Sequence, residues 1–131
     1  MSGITVTGLA HVGIRVHDLA RSLGFYELLG FHKTVGPVGP EPVAILHHPS
    51  GVEINLILNA PTPDVPNPLM DVPVKAPGYT HMALSVASVD DAAAALEAAG
   101  FPITERMELP GMRAVFVRDP DRNVIELDEH R

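Results

Sequence analysis

Two histidines and two glutamates sit where a metal site could be assembled from a repeat. His11 opens the segment HVGIRVHDLARSLGFYELLGF, and His81 opens HMALSVASVDDAAAALEAAGF. The two align without a gap at a shift of 70 residues, which sets Val16 on Val86, Glu27 on Glu97, Gly30 on Gly100 and Phe31 on Phe101. Each half also carries a carboxylate between apolar residues, Val52-Glu53-Ile54 and Ile125-Glu126-Leu127. Pairing those two glutamates requires a length difference of three residues between the halves. Duplication explains a repeated fold, but it does not explain an imidazole and a carboxylate in both copies. Two imidazoles and two carboxylates form a mixed nitrogen and oxygen donor set that suits Ni²⁺, Co²⁺, Mn²⁺, Fe²⁺ or Zn²⁺. Four protein ligands leave two adjacent octahedral positions open, and an open position is the mark of a catalytic site.

The elements that must position these residues follow from periodicity. Leu9 to Val16 alternates, with Val12, Ile14 and Val16 on one face and His11, Gly13 and Arg15 on the other. Asp18 is an N-cap candidate, Leu19, Leu23 and Tyr26 follow at helical spacing, and Gly30 ends the helix. The second half repeats this with a strand over 80–86, a cap at Ser88, an alanine-rich helix and Gly100. Three short strands are expected after each helix, over 31–38, 42–48 and 51–59, then over 101–108, 112–118 and 123–128. Gly36-Pro37, Pro49-Ser50-Gly51, Pro110-Gly111 and Asp119-Pro120-Asp121 supply the turns. The expected fold is therefore α+β: tandem βαβββ modules with cupped, mainly antiparallel sheets and helices on the outer face. The first module spans about residues 8–59 and the second about 78–130. Residues 60–77 hold six of the thirteen prolines and read as an extended, semi-rigid linker.

Strand parity then sorts the side chains. Val52, Ile54, Leu56 and Leu58 oppose Glu53; Met82, Leu84 and Val86 oppose His81; Ile125 and Leu127 oppose Glu126. The apolar faces pack on helices. His11, Arg15, Glu53, Asn55, His81, Ser85, Glu126 and Asp128 share the other face. Adjacent residues on a strand point to opposite faces, so His47-His48 reads as a strand end and not as a ligand pair. His17, His32 and His130 fall at element ends.

A chain of 131 residues is one compact domain by length. Half of it buries little surface alone, so the halves pack on each other or on a second chain, and a homodimer is expected. Only 19% of residues are charged and 46% are apolar, which argues against disorder. The net charge of −7, with nine scattered Lys and Arg, disfavours nucleic acid and anionic membrane as partners. Zero cysteines exclude disulfides, thiolate ligands and a Cys nucleophile. No stretch approaches the length of a membrane span, and the N-terminus lacks the pattern of a signal peptide. A cytoplasmic location is the resulting expectation.

The stretch H-V-x-I-x-V-x-D-L-x-x-S-x-x-F-Y at His11 to Tyr26 and the stretch D-P-D-x-N-x-I-E-L at Asp119 to Leu127 resemble the opening and closing motifs of the vicinal oxygen chelate superfamily. That superfamily comprises glyoxalases, bleomycin resistance proteins and ring-cleaving dioxygenases. The resemblance implies cupped βαβββ modules around a divalent metal. The glyoxalase I pattern of His, Glu, His, Glu is matched by His11, Glu53, His81 and Glu126, which makes these the implied metal ligands. It further implies a lyase or isomerase that moves a proton next to a carbonyl through an enediolate, with Glu126 or Glu53 as the base. The alternatives within the family are an epimerase of the methylmalonyl-CoA type, a ring-cleaving dioxygenase and a non-enzymatic protein that sequesters a drug or metabolite. Arg15 sits where glyoxalase I has its carboxylate-binding Arg. Ile57 and Pro77 depart from that family's polar residues, which makes the pocket less suited to a tripeptide thiol. Asn55, Tyr79, Met112 and Arg113 complete the expected substrate contacts on the ligand face, the pocket wall and a covering loop.

Overall fold

The computed structural model describes residues 3–131. Its elements run β1 (Val12–Arg15), α1 (Leu19–Tyr26), β2 (His32–Val38), β3 (Val43–His47), β4 (Glu53–Ile57), β5 (His81–Ser85), α2 (Val89–Ala98), β6 (Ile103–Leu109), β7 (Met112–Arg118) and β8 (Val124–His130), with one 3₁₀ turn at Glu27–Leu29. This is βαβββ twice, in two four-stranded sheets ordered β1-β4-β3-β2 and β5-β8-β7-β6. In each sheet the first and last strands of the module pair in parallel, and the other pairings are antiparallel.

Local chemistry sets the helices. Asp18 and Ser88 have extended backbones, and their side chains accept from Arg21 N and Asp91 N, respectively. An N-cap of this kind satisfies one of the orphan donors of a first helical turn. Gly30 closes the first helical segment with φ of 93°, a left-handed conformation that carries no Cβ penalty only in glycine.

The alternation of apolar residues puts one face of each sheet against the helices. Ile14, Val16, Ala44, Leu46, Ile54 and Leu56 of the first sheet join Val115, Val117, Ile125 and Leu127 of the second in one core with Phe25, Tyr26 and Leu96. The Phe25 and Phe101 rings meet edge-on at 5.1 Å across the modules. Residues 60–80 join the modules in turns and bends without helix or strand, as their proline content dictates. Among the described residues, no helix is long and apolar enough to cross a membrane.

A buried polar staple also crosses the modules. Tyr26 Oη donates to Asp119 Oδ2 at 2.8 Å. Asp119 Oδ1 accepts from the backbone N–H of Asp121 and Asn123, each at 2.9 Å, so one carboxylate holds both its own turn and the helix of the other module. Burial, then the nearby Asp119 charge, raises the Tyr26 hydroxyl well above its ordinary range. Removing a hydrogen bond to a buried charge costs about 1.5–3 kcal/mol, which sets the expected loss for Tyr26→Phe in urea denaturation at neutral pH. The sign of the pH effect follows from linkage. Unfolded tyrosine ionises near pH 10 while Tyr26 stays protonated in the fold, so stability is lost as pH rises above about 10. Tyr26→Phe removes that part of the alkaline loss, which denaturation curves across the alkaline range would show.

Candidate metal centre

The ligand face of the first sheet is a grid. The register sets Ile45 and Gly13 on either side of Asn55, Val43 and Arg15 on either side of Ile57, and His47 beside Glu53. A Cβ at Gly13 would sit in ordinary van der Waals contact with Ile57 Cδ1, at 3.5 Å. His47 therefore lies on the ligand face, next to Glu53, and His48 points the other way. His47 Nε2 is 3.0 Å from Glu53 Oε1, and His47 Nδ1 is 2.7 Å from Thr34 Oγ1. His11 Nδ1 lies 3.8 Å from Glu53 Oε2.

On the second sheet, His81 Nε2 is 2.9 Å from Glu126 Oε1, and His81 Nδ1 is 2.8 Å from Thr80 Oγ1. Phe116 lies across from Glu126 on β7, and its ring packs edge-on to His81 at 5.7 Å. The adjacent Asp128 carboxyl is the largest influence on Glu126 and, with burial, holds it above the ordinary carboxylate range, while His81 pulls in the opposite direction.

The structure changes which residues are equivalent. Val12 pairs with Ile54 and Gly13 with Asn55, while Met82 pairs with Ile125 and Ala83 with Glu126. Asn55 is thus the counterpart of Glu126, and Glu53 is the counterpart of Val124. The β3–β4 and β7–β8 turns agree with this. His48 N donates to Val52 O and Gly51 N to His48 O, just as Asp119 N donates to Asn123 O and Arg122 N to Asp119 O. His48 Nδ1 accepts from Ser50 N as Asp119 Oδ1 accepts from Asp121 N. Gly51 and Arg122 both have positive φ, at 99° and 69°. The length difference is therefore one residue, not three, and Pro49 falls on Pro120. Matching Glu53 to Glu126 by residue type displaced the register by two positions.

The grid brings His11 and Glu53 together, and His81 and Glu126 together, but it does not unite the two pairs. Among the described residues, no three His, Asp or Glu side chains are grouped to share one ion. Both sheets spend their opposite faces on the shared core, so each ligand face is turned away from it. The donor chemistry still suits a cation. Asn55 Oδ1 is buried on the ligand face without a hydrogen-bond partner, and an orphaned buried oxygen is a group that a divalent ion can satisfy.

Other expected contacts separate. Arg15 Nε donates to Asn59 Oδ1 at 2.8 Å, and Asn59 Nδ2 donates to Glu41 Oε1 at 2.6 Å. Asn59 lies four residues after Asn55, and Arg15 four after His11, so the two polar anchors meet once the register is corrected. Tyr79 stands almost wholly exposed beside a cleft of about 430 Å³ that Arg15, Leu69, His81 and Val124 also line. Met112 packs with Met70 and Met107 around Ala114, Phe116 and Val124 on the ligand side of the second sheet. Arg113 does not join the site. It has the parity of Val115 and Val117, which face the helices, and its guanidinium is held by Asp90 at 3.0 and 3.1 Å and by Glu108 at 3.0 Å. The linker crosses the ligand side of the second sheet, pinned by a bidentate Arg118–Asp71 pair at 2.7 and 2.9 Å. Strand parity alone would have revealed His47, whereas the single proline shared by the two turns is the only sequence signal for Asn55 and Asn59.

A family model, the glyoxalase/bleomycin resistance protein/dioxygenase superfamily, matches residues 8–127. The chain belongs to this superfamily. A superfamily domain from Frankia sp. EAN1pec shares 29% identity and a TM-score of 0.78, with 97% of this chain and 94% of that one covered. A glyoxalase family protein from Bacillus cereus shares 21% identity and a TM-score of 0.75, covering 99% and 98% of the two chains. The genomically encoded fosfomycin resistance protein FosX of Listeria monocytogenes, solved with Mn(II) and 1S,2S-dihydroxypropylphosphonic acid, shares 17% identity and a TM-score of 0.74, covering 97% and 95%. At 21% and 17% these last two likenesses establish the superfamily fold and not a shared activity. No curated protein matches the chain.

Proposed function

We propose that this superfamily member is a divalent-metal-dependent lyase or isomerase of the glyoxalase type, working as a homodimer whose sites are shared between copies. One observation supports it above the rest: equivalent rows of the two sheets each present a histidine with an oxygen donor, Asn55 in one module and Glu126 in the other. His11 and Asn55 of one copy would hold the ion with His81 and Glu126 of its partner. The neighbour solved with Mn(II) lends this reading support from within the fold. A second copy also gives cover to Ile4, Val6, Leu9 and Tyr79, which are 80–99% exposed in the single chain.

A cation bound there would polarise a substrate oxygen and lower the barrier to losing a neighbouring proton. The protein's own groups do the rest. His81 holds its Nδ1 to Thr80 and turns Nε2 to Glu126. Glu126 takes the proton from one carbon and returns it to the next. Asn55 carries no transferable proton at neutral pH, so one base serves the site. That favours a lyase or isomerase over an epimerase that needs a carboxylate on each face of its substrate. Arg15 and Asn59 offer charge and an amide to the anionic end of the substrate.

Chelation should cut turnover of methylglyoxal–thiol adducts by at least about 100-fold, and Ni²⁺, Co²⁺, Mn²⁺ or Zn²⁺ should restore it, with one ion per chain by metal analysis. Undiminished turnover without metal would overturn the reading. Two histidines and one carboxylate also make the ligand set of Fe²⁺ oxygenases. Oxygen uptake by Fe²⁺-loaded protein with a catechol would favour that second reading.

A further inference from the structure

We infer that Glu53 does not ligate the ion but is the positioning residue of His11, held in place by His47 and Thr34; this rests on the metal-site reading above. The register sets Glu53 one row away from the position that Glu126 occupies. Its Oε1 is already engaged by His47 Nε2 at 3.0 Å. An ionised carboxylate only accepts, so His47 Nε2 carries the hydrogen. In the neutral ring Nδ1 then accepts, and the Thr34 hydroxyl at 2.7 Å donates to it. Glu53 Oε2 is left to face His11 Nδ1, 3.8 Å away, a gap that a rotation of the half-exposed imidazole would have to close. With Nδ1–H donated to Glu53, His11 presents Nε2 to the ion, the same nitrogen that His81 turns to Glu126. A carboxylate on the far nitrogen fixes the tautomer and raises the basicity of a ligating histidine.

The two modules divide this task in a reciprocal way. In the second module the Thr80 hydroxyl holds His81 Nδ1, and the residue at Glu53's place in the register is Val124. In the first module the position equivalent to Thr80 is Ala10, which has no side-chain acceptor. Each Nδ1 therefore faces one side-chain oxygen, that of Thr80 beside it in the chain for His81 and that of Glu53 on β4 for His11. Phe116 lies across from Glu126, where His47 lies across from Glu53, so the antiparallel neighbour holds Glu53 and does not hold Glu126.

The test is Co²⁺ binding by the full-length protein, followed by calorimetry and visible absorption. Glu53→Ala should keep one ion and the wild-type Co²⁺ bands but bind about 10–100-fold more weakly. His47→Leu should weaken binding by about 10-fold, and His47→Gln, which keeps a donor at the same reach, should recover most of it. His11→Ala should alter the bands. If Glu53→Ala alters the bands as His11→Ala does, Glu53 is a ligand and the inference fails. If Glu53→Ala binds as tightly as wild type, or His47→Gln binds no better than His47→Leu, the positioning chain fails and the metal site stands. If wild-type protein holds no ion, the metal reading itself fails, and this inference with it.

Discussion

Glu126→Gln should lower kcat by about 10²–10⁴-fold while the protein stays folded and keeps its metal. Glutamine preserves an oxygen donor and nearly the same volume, so binding of ion and substrate changes little, and the effect falls on kcat more than on KM. What is lost is a group that can carry a proton. Asn55, at the equivalent place in the first sheet, cannot replace it, and Glu53 lies a row away, tied to His47 at 3.0 Å. Ala83, beside Glu126 on β5, leaves the carboxylate room on that side. Turnover and solvent deuterium incorporation at the substrate carbon would both report the loss. Full turnover by a metal-loaded Glu126→Gln variant would show that Glu126 is not the base.

The fold was legible because its signals are local. The caps at Asp18 and Ser88, the helix-ending Gly30 and the alternation on β1, β4, β5 and β8 are all where periodicity and turn chemistry predict them. Strand ends moved by a few residues: β1 begins at Val12 and β4 at Glu53, where Gly51 and Val52 spend their backbone hydrogen bonds on the turn with His48. The site was legible only in part. His11, His81 and Glu126 lie on the ligand faces by parity alone. Glu53 and Asn55 exchanged meaning because both have the same parity, and a shift of two residues along a strand changes the row but not the face. The turn could have settled it, but His48-Pro49-Ser50-Gly51 and Asp119-Pro120-Asp121-Arg122 share one residue type, and their likeness lies in backbone hydrogen bonds. Arg113, expected at a covering loop, turns to the helix face: one step along β7 separates it from the ligand face, and Asp90 holds its guanidinium. How the two ligand faces meet is not local information at all, because in the proposed dimer it depends on a surface that a second chain would cover.

That meeting can be measured by complementation. His11→Ala removes a donor from the first module and Glu126→Gln disables the second, and each variant alone should be nearly inactive. In a mixed dimer with sites shared between copies, one site carries both changes and the other carries neither. Random association makes about half of the dimers mixed, so about a quarter of wild-type turnover should return when the two variants are co-expressed, and about half in purified mixed dimers. Sites built within single chains would leave every site defective, and mixed dimers with no more activity than their parents would contradict a shared centre.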